Sequence, residues 1–174
     1  SVLAALAALL LAAPGGASSV ASRNLTLTRS ANDRRAQTLE LFRKQHRELR
    51  DAYQSALEAL AKDCEAKNLP QGVMEIRALA RKKQGDSTDS LSLPGRVQPE
   101  LPAGLPEAER AWRRQLAQTR EDHAAKLYLL SRRVLTTGFP SVAYQIVREV
   151  AQVDPDHVVA RRLLGFVRQG DEWV

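Results

Sequence analysis

Four side chains in this chain are of types that do acid–base, nucleophilic or metal chemistry near neutral pH: His46, His123, His157 and the lone Cys64. An imidazole titrates close to pH 7 and ligates metals, and a thiolate is a nucleophile. Their spacing supports none of these uses. No histidine has a partner at metal-ligand spacing, and no His-Glu-x-x-His occurs. Cys64 alone can form neither an intramolecular disulfide nor a Cys-type zinc site, and at a helical position it reads as a small core hydrophobe. His46 and His123 fall on apolar stripes, where a hydrogen-bonded structural histidine is the expectation. His157 is expected to face water. No Gly-x-Ser-x-Gly elbow and no glycine-rich loop after a strand is present, and Glu121 and Asp122 read as a solvated helix surface. The sequence therefore assigns no catalytic, cofactor-binding or metal-binding residue, and no cofactor.

Charge points away from nucleic acid as well. The formal net charge is +6, but residues 30–83 carry twelve basic and eight acidic residues, and residues 105–174 carry eleven and nine. Around Arg34, Arg35, Arg43, Lys44, Arg47 and Arg50, the acids Glu40, Glu48 and Asp51 stand within the same turns. They lower the local potential through i,i+4 pairing. That is a solvated helix surface, not a stripe for a polyanion.

The elements that must position these residues read as helices throughout. Aromatics make up only 5% of the chain while alanine, leucine and arginine abound, a mix that favours helix over sheet. From about Asn32 to Asn68 there is neither Gly nor Pro. Leu39, Phe42, His46, Leu49, Tyr53, Ala56 and Leu60 recur at steps of 3 and 4, with Cys64 one turn further. Ser30 or Asn32 is the expected cap. The strict heptad also permits a coiled coil. Pro70 opens a shorter helix through Val73, Ile76, Leu79 and Ala80, predicted to fold back as an αα-hairpin. Residues 84–104, with prolines at 94, 99 and 102, are expected to be a disordered linker between two helical domains, 30–83 and 105–174. Pro106 restarts helix with an inner face of Trp112, Leu116, Thr119, His123, Leu127, Leu130 and Val134. Pro140 opens the next, with Val142, Ala143, Ile146, Val147 and Val150 inside. Asp154-Pro155 is read as the cap and first residue of a last helix. The predicted fold class is all-α: antiparallel helical hairpins behind an N-terminal signal helix.

Val2 to Ala13 are twelve apolar residues without a charge, followed by a Pro-Gly-Gly breaker and small residues. This is the h-region and cleavage region of a secretory signal peptide over residues 1–21, with cleavage after Ala17 or Ala21. Twelve helical residues reach only about 18 Å, short of the ~30 Å hydrocarbon core, so no integral span is expected in the mature chain. If residues 2–13 stay uncleaved they become a membrane anchor. No Met and no basic residue precede the run, so the first few residues of the gene product are expected to be missing. The implied location is periplasmic or extracellular.

Toward the other end, Leu127, Leu130, Ala143, Val147 and Pro155, with Leu164 and Gly165 following Leu130 by one repeat length, fall at tetratricopeptide spacing. The segment from residue 123 to 168 thus resembles a tetratricopeptide-like repeat, with Ala143 and Gly165 leaving room for a neighbouring backbone. Ser131 and Val134 depart from the pattern, standing where Gly and Tyr are usual. Arg161, Arg162, Leu163, Leu164, Gly165, Phe166 and Trp173 also resemble a phrase of large planctomycete-type exported proteins of uncharacterised function. There the phrase precedes a Trp-containing strand and often a zinc-peptidase-like domain. The resemblance implies a helical scaffold module that meets a protein partner or its own downstream domain. The alternative it implies is the accessory N-terminal region of an exported hydrolase whose catalytic domain lies beyond Val174. Oligomeric state is left open.

Overall fold

The computed structural model describes residues 17–81, 92–99 and 101–174, with side chains from Ser30 onward. Its helices are α1 (Ala17–Ala66), α2 (Pro70–Arg81), α3 (Glu107–Thr136), α4 (Pro140–Val153) and α5 (Val158–Leu163). A two-stranded hairpin follows, β1 (Arg168–Gln169) and β2 (Glu172–Trp173). The fold is all-α. The apolar run 2–13 lies outside the described residues, while Ala17 and Ala21 lie in the first turns of α1. No helix among the described residues is long and apolar enough to cross a membrane.

The chain divides into two compact units, residues 1–40 and 41–174. The described part of the first is helix α1, where Arg34 Nε donates to the Ser30 carbonyl at 3.2 Å and Thr38 Oγ1 to that of Arg34 at 2.9 Å. Ser30 and Asn32 were expected to cap the helix. Instead both lie in its interior, because nothing from Ala17 to Ala66 breaks it and a nucleated helix adds residues at little cost.

In the second unit three helices stop in the same way. Asn68 takes a left-handed φ of 53°, and Leu69 N–H reaches back five residues to the Cys64 carbonyl at 2.9 Å. Gly138, with φ 90°, is followed by Phe139 bonded to the Val134 carbonyl at 3.1 Å. Gly165, with φ 95°, is followed by Phe166 bonded to Arg161 at 3.0 Å. Each is a left-handed residue followed by an apolar one, and in the first two a proline then opens the next helix. These short turns fold α2 back along α1 and α4 back along α3. Arg77 of α2 pairs with Glu58 and Glu65 of α1, and Gln54 Nε2 donates to the Ala80 carbonyl. Arg120 of α3 donates through Nε to the Val153 carbonyl at 2.7 Å.

The core forms where the faces of these four helices meet. Leu57, Leu60, Ala61 and Cys64 from α1, Ile76 from α2, the Trp112-to-Val134 stripe of α3 and the Ala143-to-Val153 face of α4 are buried. Gly72 is the closest approach: a Cβ there would stand 3.0 Å from Cys64 Sγ and 3.1 Å from the Trp112 ring. The predicted heptad stripe on α1 needs correction at one place. Ala56 is exposed while Leu57 and Ala61 are sealed. A straight helix at 3.6 residues per turn drifts about 20° per heptad, so its buried face moves on by one residue. That face is covered by helices of the same chain and not by a coiled-coil partner.

The Pro-rich stretch also differs from expectation. Residues 92–99 are ordered against the C-terminal hairpin, with Trp173 N–H bonded to the Gly95 carbonyl at 2.7 Å and Val97 N–H to that of Asp171 at 2.9 Å. The exposed edge of β2 offers free main-chain groups, which an extended proline-flanked segment satisfies without needing a side-chain pattern. The segment lies within the unit 41–174, and Tyr53 and His123, from the two predicted domains, share one core.

Candidate functional site

Two buried polar clusters carry whatever chemistry the described residues have. The first is centred on Glu149, on the face of α4 that points into the core, 2% exposed. A carboxylate taken out of water is costly unless it is paired. Two side chains one turn apart on α1 supply the pairing. His46 Nε2–H donates to Glu149 Oε2 at 2.6 Å, and Arg50 Nε stands 3.6 Å from Oε1. From α3 comes His123, buried and stacked flat on Tyr53 of α1, ring centroids 4.2 Å apart and planes within 2°. Its Nε2 is buried and makes no hydrogen bond within the described residues, and the same holds for Glu149 Oε1. Phe42 packs edge-on against Phe139 at the far end of this contact.

The electrostatics follow from the burial. Desolvation pushes the His123 imidazole down to about 4; Glu149 pulls the other way, while His46, Lys126 and Arg50 add to the lowering. His123 is therefore neutral at pH 7. Burial raises the Tyr53 phenol, with Arg120 opposing. A groove of about 200 Å³ reaches the Tyr53–His123 stack from outside, lined by Leu49, Ala52, Ala56, Thr119, Asp122 and Lys126. What the arrangement can do is accept protons in a place that resists them. Burial, with Asp63 and Glu109, also raises the Cys64 thiol, which leaves it protonated and unreactive.

The second cluster surrounds Arg161, which is fully buried. Its Nε donates to the Pro155 carbonyl and its Nη2 to the Pro94 carbonyl, both at 2.6 Å. The guanidinium lies 4.9 Å from the Phe166 ring centre and 5.2 Å from that of Trp173, within cation–π range. Trp173 Nε1 donates to Asp156 Oδ1 at 3.0 Å, and Asp156 Oδ2 accepts from Gln98 N–H at 2.9 Å. One arginine thus clasps residues 94–98, the turn after α4 and the C-terminal hairpin.

Of the residues singled out by repeat spacing, Leu127, Leu130, Ala143, Val147 and Pro155 are buried and Leu164 is half-buried. Gly165 is different. Nothing lies within 4 Å of where its Cβ would be, so its glycine serves the left-handed backbone and not a close helix crossing. The Asp154-Pro155 reading shifts too. Asp154 ends α4 and bonds Asp156 N–H through its carboxylate, while His157, expected to face water, caps α5 by accepting from Ala160 N–H at 3.2 Å. Its ring leans on Tyr128.

Sequence reasoning missed Glu149 and Arg161. Glu149 could have been found, because it lies three residues after Ile146 and seven after Val142, on the apolar stripe of its helix. Arg161 gave no such signal: its partners are main-chain carbonyls. Among the described residues no three His, Cys, Asp or Glu side chains gather as a metal site. Comparison with family models, curated proteins and solved structures found no match.

Proposed function

We propose that this chain is a non-catalytic helical interaction module of an exported bacterial protein, with residues 123–168 as a tetratricopeptide-like unit. The observation that carries it is an open groove of about 680 Å³ at the α1–α2 turn, lined by Leu69, Pro70, Val73, Met74 and Ala78 and flanked by Glu65, Arg77 and Arg81. Met74 in its lining is 68% exposed. A flexible thioether in a concave apolar surface with charged flanks suits a protein surface that must adapt to it. Of the buried charged groups, by contrast, Glu149 is paired with His46 and Arg50, and Arg161 is bonded to main-chain carbonyls. Export is supported by the apolar run 2–13 and the small residues after it.

A photo-crosslinking residue at Met74, in cells that make the protein, is expected to give a discrete adduct that Val73→Asp removes. The same residue at exposed Ala117 should give none. Equal labelling at both positions would overturn the reading. N-terminal sequencing of the mature protein tests export, with Ser18 or Ser22 as the expected first residue. A His-Glu-x-x-His on a helix coded beyond Val174 would move the assignment to the accessory region of a hydrolase.

A further inference from the structure

We propose that the Glu149 cluster is an acid-released latch: protonating His123 loosens residues 42–53 of α1 from the α3–α4 pair while the rest of the core stays closed. The geometry holds one buried carboxylate of α4 between His46 and Arg50 of α1, while His123 of α3, buried and with no hydrogen-bond partner for Nε2 among the described residues, stacks on Tyr53 of the same helix α1. The titratable and charged groups facing His123 are His46 and Arg50 from α1, Lys126 from α3 and Glu149 from α4, with Asp122 of α3 lining the same groove; Arg120 of α3 faces Tyr53. A proton on His123 therefore puts a charge on a ring cut off from water whose Nε2 has no acceptor among the described residues, and burial penalises that charge before any neighbouring charge does.

Release is local because α1 is held unevenly. Its polar half carries Phe42, His46, Arg50 and Tyr53, whereas Leu57, Leu60, Ala61 and Cys64 form a sealed apolar half next to α2 and Trp112. Acid does not weaken the apolar half. The groove beside Tyr53 and His123 gives water and protons a route to the ring.

The direction of the linkage is set by His123. Freed, it binds a proton near 6.5; latched, only near 4. Between these values the open state holds more protons, so falling pH favours opening. From pH 7.5 to pH 5 the open fraction should rise about thirtyfold.

Amide hydrogen exchange on the whole chain, corrected for intrinsic chemistry, tests this. The expected result is acceleration of that order at residues 42–53 on going to pH 5, with residues 127–134 and 143–150 better protected at both pH values because they exchange only through global unfolding. His123→Phe, which keeps a ring on Tyr53 but cannot titrate, should lose most of the acceleration. Glu149→Gln should open the same segment already at pH 7.5. Equal protection of residues 42–53, 127–134 and 143–150, or full acceleration in His123→Phe, would overturn the proposal. Should Glu149→Gln not fold, the His123 variant decides.

Discussion

Glu149 and Arg161 are both charged, both lie in the core, and both are neutralised, but by opposite means. Glu149 is held by side chains of a different helix, one of them a histidine. Arg161 is held by two backbone carbonyls and two aromatic faces, with Asp156 supporting its charge against desolvation. Carbonyl dipoles and ring quadrupoles do not titrate in the physiological range, whereas imidazoles do. The proposed pH response therefore belongs to the first cluster, through the buried imidazole of His123, and not to the second. A buried charge becomes a permanent fastening or a conditional one according to what it is paired with.

The largest effect is expected from Arg161→Ala, which orphans the Pro94 and Pro155 carbonyls and empties the space between Phe166 and Trp173. A loss of about 3–5 kcal/mol in urea unfolding should follow, with the same value at pH 5 and pH 8. A loss below about 1 kcal/mol would end the view of Arg161 as the fastening of the C-terminal segment. Glu149→Ala should cost about 2–3 kcal/mol at pH 7.5, less than Arg161→Ala because His46 and Arg50 are partly exposed and can rehydrate. Next comes pH itself. The His123 imidazole is depressed in the folded chain, so its contribution is present above about pH 6.5 and is lost as pH falls toward about 4. The chain should lose about 2 kcal/mol between pH 7.5 and 5, and His123→Phe should flatten that slope. An unchanged slope would locate the pH response elsewhere. Trp173→Phe removes the bond to Asp156 but keeps a ring on Arg161, for about 1 kcal/mol. Smallest is Gly72→Ala, in the apolar seam. Crowding against Cys64 and Trp112 is partly offset by better helix propensity, leaving a cost of about 0.5–1 kcal/mol that does not change with pH.

Much of the fold was legible before the structure because it rests on period and punctuation. The α3 stripe from Trp112 to Val134 is the buried face it was read to be, apart from the half-buried Thr119. Leu69-Pro70 and Phe139-Pro140 mark the two sharp turns. What escaped was the start of α1, since Ser30 and Asn32 are caps only when no helix already runs through them. The segment 92–99 escaped as well, because main-chain pairing to a strand edge leaves no side-chain signature. Of the candidate site, His46 and His123 could be placed on inner faces but not paired.

Residue spacing by itself determined that the chain would be all-α, built of helices with apolar stripes, and where prolines would turn it. Those are local consequences of helix pitch and backbone sterics. Only the tertiary structure decided that His46 and Arg50 meet Glu149, that His123 stacks on Tyr53, and that Arg161 reaches across 67 residues to the Pro94 carbonyl. Such meetings depend on how one helix is rotated against another, and a few tens of degrees of rotation would turn a buried ion pair into four solvated side chains.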